Sequence, residues 1–267
     1  MVGSGYGLNV LRPISGAGGS DHAGGEGSNQ LFSLYGMAGV SQRLNVLVVL
    51  PYSFRRQAAD VEDVHHRDET LRGLGDLRLG LRYIAANTFF GPGKRIYLGV
   101  SVTLPTATSY ALNPFADAAD RTEHRHFALG NGTPTASLEG EWWRRTESPW
   151  IAGLLVRFRP RLTRSPEGFE PGARLNVDFQ AVGQAYRWLG GFPYLVLRLR
   201  REDTDYWEGT AAPNSGGTFL EGSAGLNFEI SEAYSAVFRY TFPIVSRLSG
   251  SQQLGRSLEI ALRFVRL

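Results

Sequence analysis

Residues 73–109 of the sequence read GLGDLRLGLRYIAANTFFGPGKRIYLGVSVTLPTATS and contain two stretches of strict alternation. The first stretch opposes an apolar set to a polar one: Leu77, Leu79, Leu81 and Tyr83 against Asp76, Arg78, Gly80 and Arg82. The second stretch does the same: Ile96, Leu98, Val100, Val102 and Leu104 against Arg95, Tyr97, Gly99, Ser101 and Thr103. Since successive strand side chains point to opposite faces, each stretch predicts a strand with one apolar and one polar face. The Asn-, Gly- and Pro-containing segment 86–94 predicts the turn of a long hairpin.

The same alternation recurs along the chain and predicts about twelve strands, joined by connections that alternate in length. Short turns lie near residues 41–43, 147–149, 189–192 and 231–232, whereas the longer connections are residues 13–28, 56–70, 106–132, 202–216 and 245–255 and, to a lesser degree, residues 163–171. Outer-membrane barrels combine short periplasmic turns, longer outer loops and an even number of strands. A soluble sandwich has no reason to alternate its loop lengths in this way. The sequence therefore predicts an all-β fold, a single transmembrane antiparallel up-and-down β-barrel domain spanning residues 1–267, with short periplasmic turns and long extracellular loops.

The composition is compatible with this fold and excludes some alternatives. No run of about 18 apolar residues exists, which excludes a transmembrane helix. The hydrophobic content of 42% would also fit a soluble all-β protein, but a membrane barrel has a similar average because half of its strand residues face a polar lumen. The absence of cysteine excludes disulfides and cysteine-ligated metals. The formal net charge of +3 is scattered along the chain, so no nucleic-acid partner is expected.

Aromatic residues cluster beside the short turns, namely Phe89, Phe90, Trp142, Trp143, Trp150, Trp188, Phe192, Tyr194 and Tyr234. Such a girdle is typical of one interface of a membrane barrel. We therefore expect a location in the outer membrane of a Gram-negative bacterium. The expected partners are the lipid bilayer, lipopolysaccharide, a small-molecule solute and, during biogenesis, the barrel-assembly machinery. Residues 1–10 lack the basic and apolar regions of a signal peptide, so we expect a mature or recombinant form, or a misplaced gene start.

Three segments of the first half resemble a known family. A short turn and a strand ending in VLP occupy residues 41–51, GLGDLRLGLRY occupies residues 73–83, and VSVTLPTATS occupies residues 100–109. This combination resembles the outer-membrane channels associated with the meta-pathway of phenol degradation, which are relatives of the FadL-type channels for hydrophobic compounds. The resemblance is best over residues 30–110. It implies passive uptake of small hydrophobic or aromatic compounds.

The polar faces of the predicted strands carry many charges. A mid-bilayer Arg that faces lipid costs about 2–4 kcal/mol, so these residues are expected to line the lumen. The candidates are Asp76, Arg78, Arg82, Arg95, Glu139, Glu141, Arg157, Arg159, Arg174, Asp178, Arg198, Arg200, Glu221, Glu229, Arg239, Glu259 and Arg263. Two interpretations stay open: these charges pair with one another and fill a narrow lumen, or the excess of arginine selects anionic solutes.

Four prolines recur late in the strands that run away from the short turns: Pro51, Pro105, Pro160 and Pro243. Because proline cannot donate to the strand ladder, it is confined to strand ends, edges and bulges. These prolines therefore mark strand ends near the outer rim, or they kink the wall and open a lateral exit into the lipid.

Catalytic and metal chemistry is not expected. All five histidines (His22, His65, His66, His124 and His126) fall in predicted outer loops, and their spacing matches no structural metal site. Twelve-stranded outer-membrane phospholipases are of similar size, but they need a His and a Ser placed together on the barrel wall. No serine accompanies His124 or His126 in a strand-like pairing. We therefore expect no enzymatic activity, no metal and no cofactor.

The function predicted from the sequence is a passive outer-membrane channel or transporter for small hydrophobic or aromatic compounds, and this rests on the resemblance. The alternative is a narrow anion-selective porin for acidic solutes or oligosaccharides, which rests on the arginine-rich faces. A third possibility is a non-conducting structural or adhesive barrel whose long loops bind a partner.

Overall fold

A computed structural model of the chain describes residues 5–6, 25–59, 69–88, 91–107, 129–166, 168–184, 187–212, 215–231, 234–249 and 255–264. Every regular element in these ranges is a β-strand. No helix in them is both long and apolar enough to cross a membrane. The five histidines, Phe89 and Phe90 lie outside the described residues, so the interpretations that rest on them stay predictions.

The described strands form two antiparallel sheets. The larger sheet contains β1 (Gly5–Tyr6), β2 (Gly25–Gly39), β3 (Leu44–Ala59), β4 (Glu69–Leu74), β5 (Leu77–Asn87), β6 (Gly93–Leu104), β7 (Thr135–Arg145), β8 (Trp150–Arg159), β10 (Arg174–Gly183), β11 (Phe192–Glu202), β14 (Gly217–Glu229), β15 (Tyr234–Leu248) and β16 (Ser257–Phe264). The smaller sheet contains β9 (Phe169–Glu170), β12 (Tyr206–Trp207) and β13 (Thr210–Ala211).

The larger sheet is an up-and-down wall, in which each strand pairs antiparallel with the strands before and after it along the wall. Both β4 and β5 pair with β3 and share one place in the wall, separated by Gly75–Asp76. The wall therefore has twelve places, which confirms the predicted strand number. Cα atoms of β1 approach those of β16 to within 8 Å, so the two ends of the sheet are neighbours.

The two faces of the wall differ in chemistry. On one of them, here called the apolar face, large hydrophobic side chains are exposed, and Leu98, Leu197 and Leu262 are 53%, 43% and 46% exposed. On the other, here called the charged face, Asp178 and Glu221 are only 3% and 8% exposed. A soluble sandwich buries its apolar face and exposes its polar one. This wall is the inverse, as expected where the apolar face meets lipid.

The smaller sheet joins two of the longer connections, which the sequence pattern predicts only as loops. Tyr206 pairs with Glu170, and Trp207 pairs with Phe169. The rings of Phe169 and Trp207 lie 4.9 Å apart, and the Arg161 guanidinium lies 4.6 Å from the centre of the Tyr206 ring. The connections after β8 and after β11 therefore pack on each other instead of projecting separately.

The irregularities of the wall lie elsewhere than the alternation suggests. A change of phase near Val182 predicts a bulge, but that prediction is wrong, since β10 pairs continuously through Val182 with both neighbours and ends at Gly183. The phase changes there because the chain leaves the sheet. The register shifts instead between Ile84 and Ala86 and beside Pro243.

Candidate functional site

Most of the sequence-predicted charged residues share the charged face. Their strand positions place them there: Arg78, Arg82, Arg95, Glu139, Glu141, Arg157, Arg159, Arg174, Asp178, Arg198, Arg200, Glu221, Arg239 and Glu259. Asp76 lies between β4 and β5 instead of within a strand. Glu229 ends β14 in an exposed pair with Arg187, and Arg263 lies opposite Ser235 in β16, with its side chain outside the described residues. The alternation of the strands is what collects these charges on one face.

Cross-strand register turns many of these charges into ion pairs. Arg198 lies directly opposite Asp178 and donates two hydrogen bonds to it, both of 2.7 Å. Arg157 donates to Glu139 across the β7–β8 pair at 2.8 Å. Arg239 likewise donates to Glu259 across the β15–β16 pair. These pairs compensate charges that the wall would otherwise hold unpaired.

The pair between Arg82 and Glu141 spans a larger gap. Arg82 lies opposite Gly99 on β6, and its guanidinium passes over the Tyr97 ring at 3.9 Å to reach Glu141 on β7 at 2.5 Å. A Cβ at Gly99 would lie 3.3 Å from Glu139, so glycine keeps this part of the face clear. Because Gly99 has no side chain, Arg82 on β5 can form an ion pair with Glu141 on β7 across β6.

Three of the candidate arginines on the charged face, Arg78, Arg95 and Arg159, form no ion pair with a carboxylate among the described residues. Arg78 forms no ion pair there, and its buried Nε has no hydrogen-bond partner. Arg159 donates to the Gly172 carbonyl oxygen at 3.2 Å, and its own Nε is likewise unsatisfied. The charged face therefore contains both mutual ion pairs and a local excess of positive charge. The ion pairs agree with the interpretation of a narrow lumen filled by paired charges, and the excess agrees with the interpretation of an anion-selective lumen.

The charged face also carries a group of apolar side chains, here called the apolar arc, which the positions of the charges do not predict. Tyr35 and Met37 on β2 and Leu47 and Val49 on β3 lie on this face, because their cross-strand partners alternate with exposed residues such as Leu34. The sequence signal is the uninterrupted apolar run at residues 46–50, which leaves no polar face on that part of β3. A cavity of about 190 Å³ is lined by Met37 and Leu47 together with the charged residues Arg78, Arg82, Glu139, Glu141 and Arg157.

A second cavity, of about 320 Å³, lies near the short-turn end of the wall. It is lined by Tyr97, Trp143 and Ile151 together with Arg82, Lys94, Arg95, Glu141 and Arg145. Trp143 donates from Nε1 to Glu141 at 3.2 Å, and its ring covers Gly153, where a Cβ would lie 2.5 Å from the ring. Trp143 is therefore packed across the charged face.

The predicted aromatic girdle is divided between the two faces. Trp142 is on the apolar face and 40% exposed, and Tyr234 is on the same face and 53% exposed. Trp143, Phe192 and Tyr194 lie on the charged face, which the girdle interpretation did not anticipate. The reason is strand parity, since Trp143 shares its face with Glu139 and Glu141.

The sequence predicts a lumen along the charged face, so replacing Trp143 by alanine is expected to widen that lumen and to raise ion conductance in planar bilayers roughly twofold. The matched control is Trp142→Ala, which removes the neighbouring indole from the apolar face and is expected to leave conductance unchanged. Equal effects of the two substitutions would show that Trp143 does not restrict the path.

The wall is interrupted at Gly75–Asp76, beside Pro51. The β3–β5 ladder ends at Val49, and the β3–β4 ladder begins at Tyr52. Between them the Gly75 N–H donates to the Pro51 carbonyl oxygen at 2.8 Å. A Cβ at Gly75 would lie 2.8 Å from Pro51 Cγ, so this close approach requires glycine. We call Gly75–Asp76 the wall break.

Residues from the longest connection fill the wall break. The Asp76 carboxylate accepts hydrogen bonds from the N–H groups of Ala107 at 3.1 Å and Asn131 at 3.0 Å. Thr106 Oγ1 accepts from the Leu77 N–H at 2.9 Å. A Cβ at Gly73 would lie 2.7 Å from the Leu129 side chain. We call residues 129–131 and their bonds to Asp76 the latch.

The other three prolines also lie where the wall is irregular. Pro105 directly follows β6, and Pro160 directly follows β8. Pro243 pairs with Glu221, and the next pair joins Leu220 to Val245, so one residue is skipped in a bulge. The hydrogen-bond ladder is therefore interrupted or ended beside each of the four prolines.

The comparisons with solved structures identify the fold of this wall. An outer membrane channel from Pseudomonas putida F1 is similar over 99% of this chain and 94% of its own length, with 13% identity and a TM-score of 0.69. The β domain of the Bordetella autotransporter BrkA is similar over the full length of both chains, with 12% identity and a TM-score of 0.52. No family model and no curated protein matches the sequence. The chain therefore has the fold of an outer-membrane antiparallel β-barrel, as predicted.

Proposed function

We propose that this protein is a passive channel of the Gram-negative outer membrane, and that it carries small hydrophobic or aromatic compounds. The charged face lines the lumen and the apolar face meets the lipid, since the reverse arrangement would place the ion pairs in hydrocarbon at several kcal/mol each. The fold of the similar channel and the segments that resemble the phenol meta-pathway channels support this proposal.

The observation that carries the choice of cargo is the apolar arc. Met37 and Leu47 face the same 190 Å³ cavity as Arg82 and Glu141, and the latter two neutralise each other. An aromatic molecule can contact the apolar side chains on one side while the paired charges on the other bind one another. A lumen that carries only hydrated ions would not require this apolar arc.

A second candidate function is a narrow porin selective for acidic solutes. The observation that favours it is the absence of a carboxylate partner for Arg78 and Arg159 among the described residues. Two such arginines raise the local concentration of anions. A non-conducting structural or adhesive barrel is the third outcome that the experiment must distinguish.

The test reconstitutes the purified protein into liposomes and into planar bilayers. We expect saturable uptake of toluene by the liposomes and low single-channel conductance with little preference between chloride and potassium. Strong anion selectivity with uptake of acidic sugars would favour the second candidate. Neither uptake nor conductance would favour the third.

We also propose that the cargo leaves laterally, through the wall break. The supporting geometry is the interruption of the ladder beside Pro51, which is closed by the single Gly75–Pro51 hydrogen bond and by a segment of the longest connection. A lateral exit delivers a hydrophobic molecule to the bilayer without crossing water. The irregularities beside Pro105, Pro160 and Pro243 are secondary candidates for the same role.

A further inference from the structure

The apolar face carries a charge pattern that the channel function does not use. Within the described side chains of the wall strands, its charged residues are all cationic, and all but Arg72 are the second or the last but one residue of their strands: Arg72, Lys94, Arg144, Arg201 and Arg247. Every carboxylate among the described side chains of those strands lies on the charged face. A solvated surface would mix both signs, so this pattern calls for a separate explanation.

Two of the cations lie at the end of the wall with the longer connections, namely Arg201 near the end of β11 and Arg247 near the end of β15. Arg72 is the fourth of the six residues of β4 and lies opposite Phe54, in the half of the wall nearer to that end. All three are exposed, and we call Arg201 and Arg247 the outer arginines. Lys94 and Arg144 face each other across β6 and β7 at the short-turn end, and we call them the inner cations.

Arg201 and Arg247 form a row with the residue between them. Arg201 pairs with Thr218, and Thr218 pairs with Arg247, so the three residues stand side by side on β11, β14 and β15. At the usual strand spacing, the Cα atoms of the two arginines are about 10 Å apart. Two long guanidinium side chains and one hydroxyl can therefore converge on a single tetrahedral anion.

Neither arginine is engaged in a strong internal interaction. Arg201 Nε lies 3.9 Å from Asp203 Oδ1, and both side chains are at least half exposed, so this pair contributes little. Arg247 has no ion-pair partner among the described residues. Both cations are free to bind an external group.

The row directly below is apolar and exposed. Leu199 pairs with Leu220 and Leu220 with Val245, and Leu199 and Val245 are 42% and 48% exposed. For a strand tilted in the membrane, Arg247 lies about 30 Å from Tyr234 along the membrane normal. This places Arg247 just beyond an apolar band that is about 25 Å tall. Acyl chains can thus contact Leu199, Leu220 and Val245. An anionic headgroup can at the same time reach Arg201, Thr218 and Arg247.

We infer that Arg201, Thr218 and Arg247 form a binding site for a phosphate group of lipopolysaccharide. This inference rests on the proposed function and on the membrane orientation predicted from the loop lengths, in which the longer connections face outward. The outer leaflet of that membrane presents phosphorylated glycolipid at the depth of this row. The site is an interaction surface on the outside of the barrel and takes no part in transport.

The test is native mass spectrometry of the detergent-purified protein with added bisphosphorylated lipid A. We expect wild type to retain lipid A and to retain dephosphorylated lipid A about tenfold less, since one lost charge-assisted contact of about 1.4 kcal/mol corresponds to that factor. The double variant R201Q/R247Q is expected to lose the same factor for bisphosphorylated lipid A. R201K/R247K, which keeps the charges but not the guanidinium forks, is expected to recover part of it.

The matched control is K94Q/R144Q, which removes the same charge from the opposite end of the barrel and is expected to bind lipid A like wild type. Equal loss in the control variant, equal binding of dephosphorylated lipid A, or tighter binding of phosphatidylglycerol would overturn the assignment. Toluene uptake by liposomes is measured in parallel. It is expected to be unchanged in R201Q/R247Q, so that failure of the lipid site and failure of the channel function are distinguishable.

Discussion

Replacing Arg198 by methionine is expected to destabilise the barrel by about 3 kcal/mol, the lower end of the cost of removing one partner from a buried ion pair, because the Arg198 side chain is 32% exposed. Arg198 binds Asp178 through two hydrogen bonds and lies opposite Glu221 on the other neighbouring strand. The two carboxylates are 3% and 8% exposed, and one oxygen of Glu221 has no hydrogen-bond partner. Without Arg198 both carboxylates remain buried with no shared cation between them. The measurement is the urea midpoint of unfolding from lipid vesicles, with the denaturant slope compared between variants.

Two further variants separate the loss of charge from the loss of packing. Adding Asp178→Asn and Glu221→Gln to Arg198→Met removes the unpaired charges and is expected to recover most of the stability. Arg187→Met breaks the pair with Glu229, whose side chains are 56% and 59% exposed, and is expected to change stability by less than about 1 kcal/mol. If the triple variant were as unstable as Arg198→Met alone, charge compensation would not be the reason for the loss.

The faces of the wall follow from the sequence because side-chain alternation is local. Strict alternation in residues 77–83 and 96–104 places the leucines and the arginines on opposite faces without knowledge of any partner strand. The same parity separates Trp143 from Trp142, so the division of the aromatic girdle was also readable from the sequence. The recurrence of this side-chain alternation correctly predicts about twelve strands, and the alternating lengths of the connections correctly predict the class of fold.

The specific pairs do not follow from alternation because they depend on register. Arg198 and Asp178 are opposite each other only because the turn between β10 and β11 has its observed length. A shift of one residue would turn every side chain of β11 to the other face, and a shift of two would pair Arg198 differently. The alternation thus predicts that Arg198 needs a partner but cannot name it.

The latch lies still further from what local pattern can predict. Asp76 fits the alternation of its strand and therefore looks like one more residue of the charged face. It instead accepts hydrogen bonds from Ala107 and Asn131, which belong to the two ends of the longest connection. Contacts between a strand end and a distant loop carry no periodic signal. The sequence signal at this place is glycine at Gly73 and Gly75, because glycine in a strand is typical of a site where another group closely approaches the backbone.

Joining the latch to the wall break by a disulfide is expected to stop hydrophobic uptake, and reducing it to raise uptake above the wild-type rate. The variant carries Asp76→Cys and Gly130→Cys. A Cβ at Gly130 would lie 2.8 Å from Asp76 Cγ, so the two Cβ atoms are at most about 4.3 Å apart, close enough to be bridged by a disulfide. The Asp76 oxygens that would crowd a side chain at Gly130 are absent from the same variant.

The expected rise on reduction follows from the bonds that the variant lacks. Hydrogen bonds to a charged acceptor contribute about 1.5–3 kcal/mol each, so losing them shifts the closed–open balance of the latch by at least about tenfold. Toluene uptake by liposomes should therefore be near the protein-free baseline in the oxidised variant and severalfold above wild type in the reduced one. The chain has no cysteine of its own, so reductant should leave wild type unchanged.

Ion conductance in planar bilayers separates a lateral path from an axial one. If cargo leaves through the wall break, the oxidised variant should conduct ions along the barrel axis as wild type does while failing to deliver toluene to the bilayer. Loss of both activities on oxidation would mean that the latch closes the axial lumen. Equal toluene uptake in the oxidised and reduced states would remove the wall break from the path, because a covalently closed latch cannot pass a molecule the size of an aromatic ring.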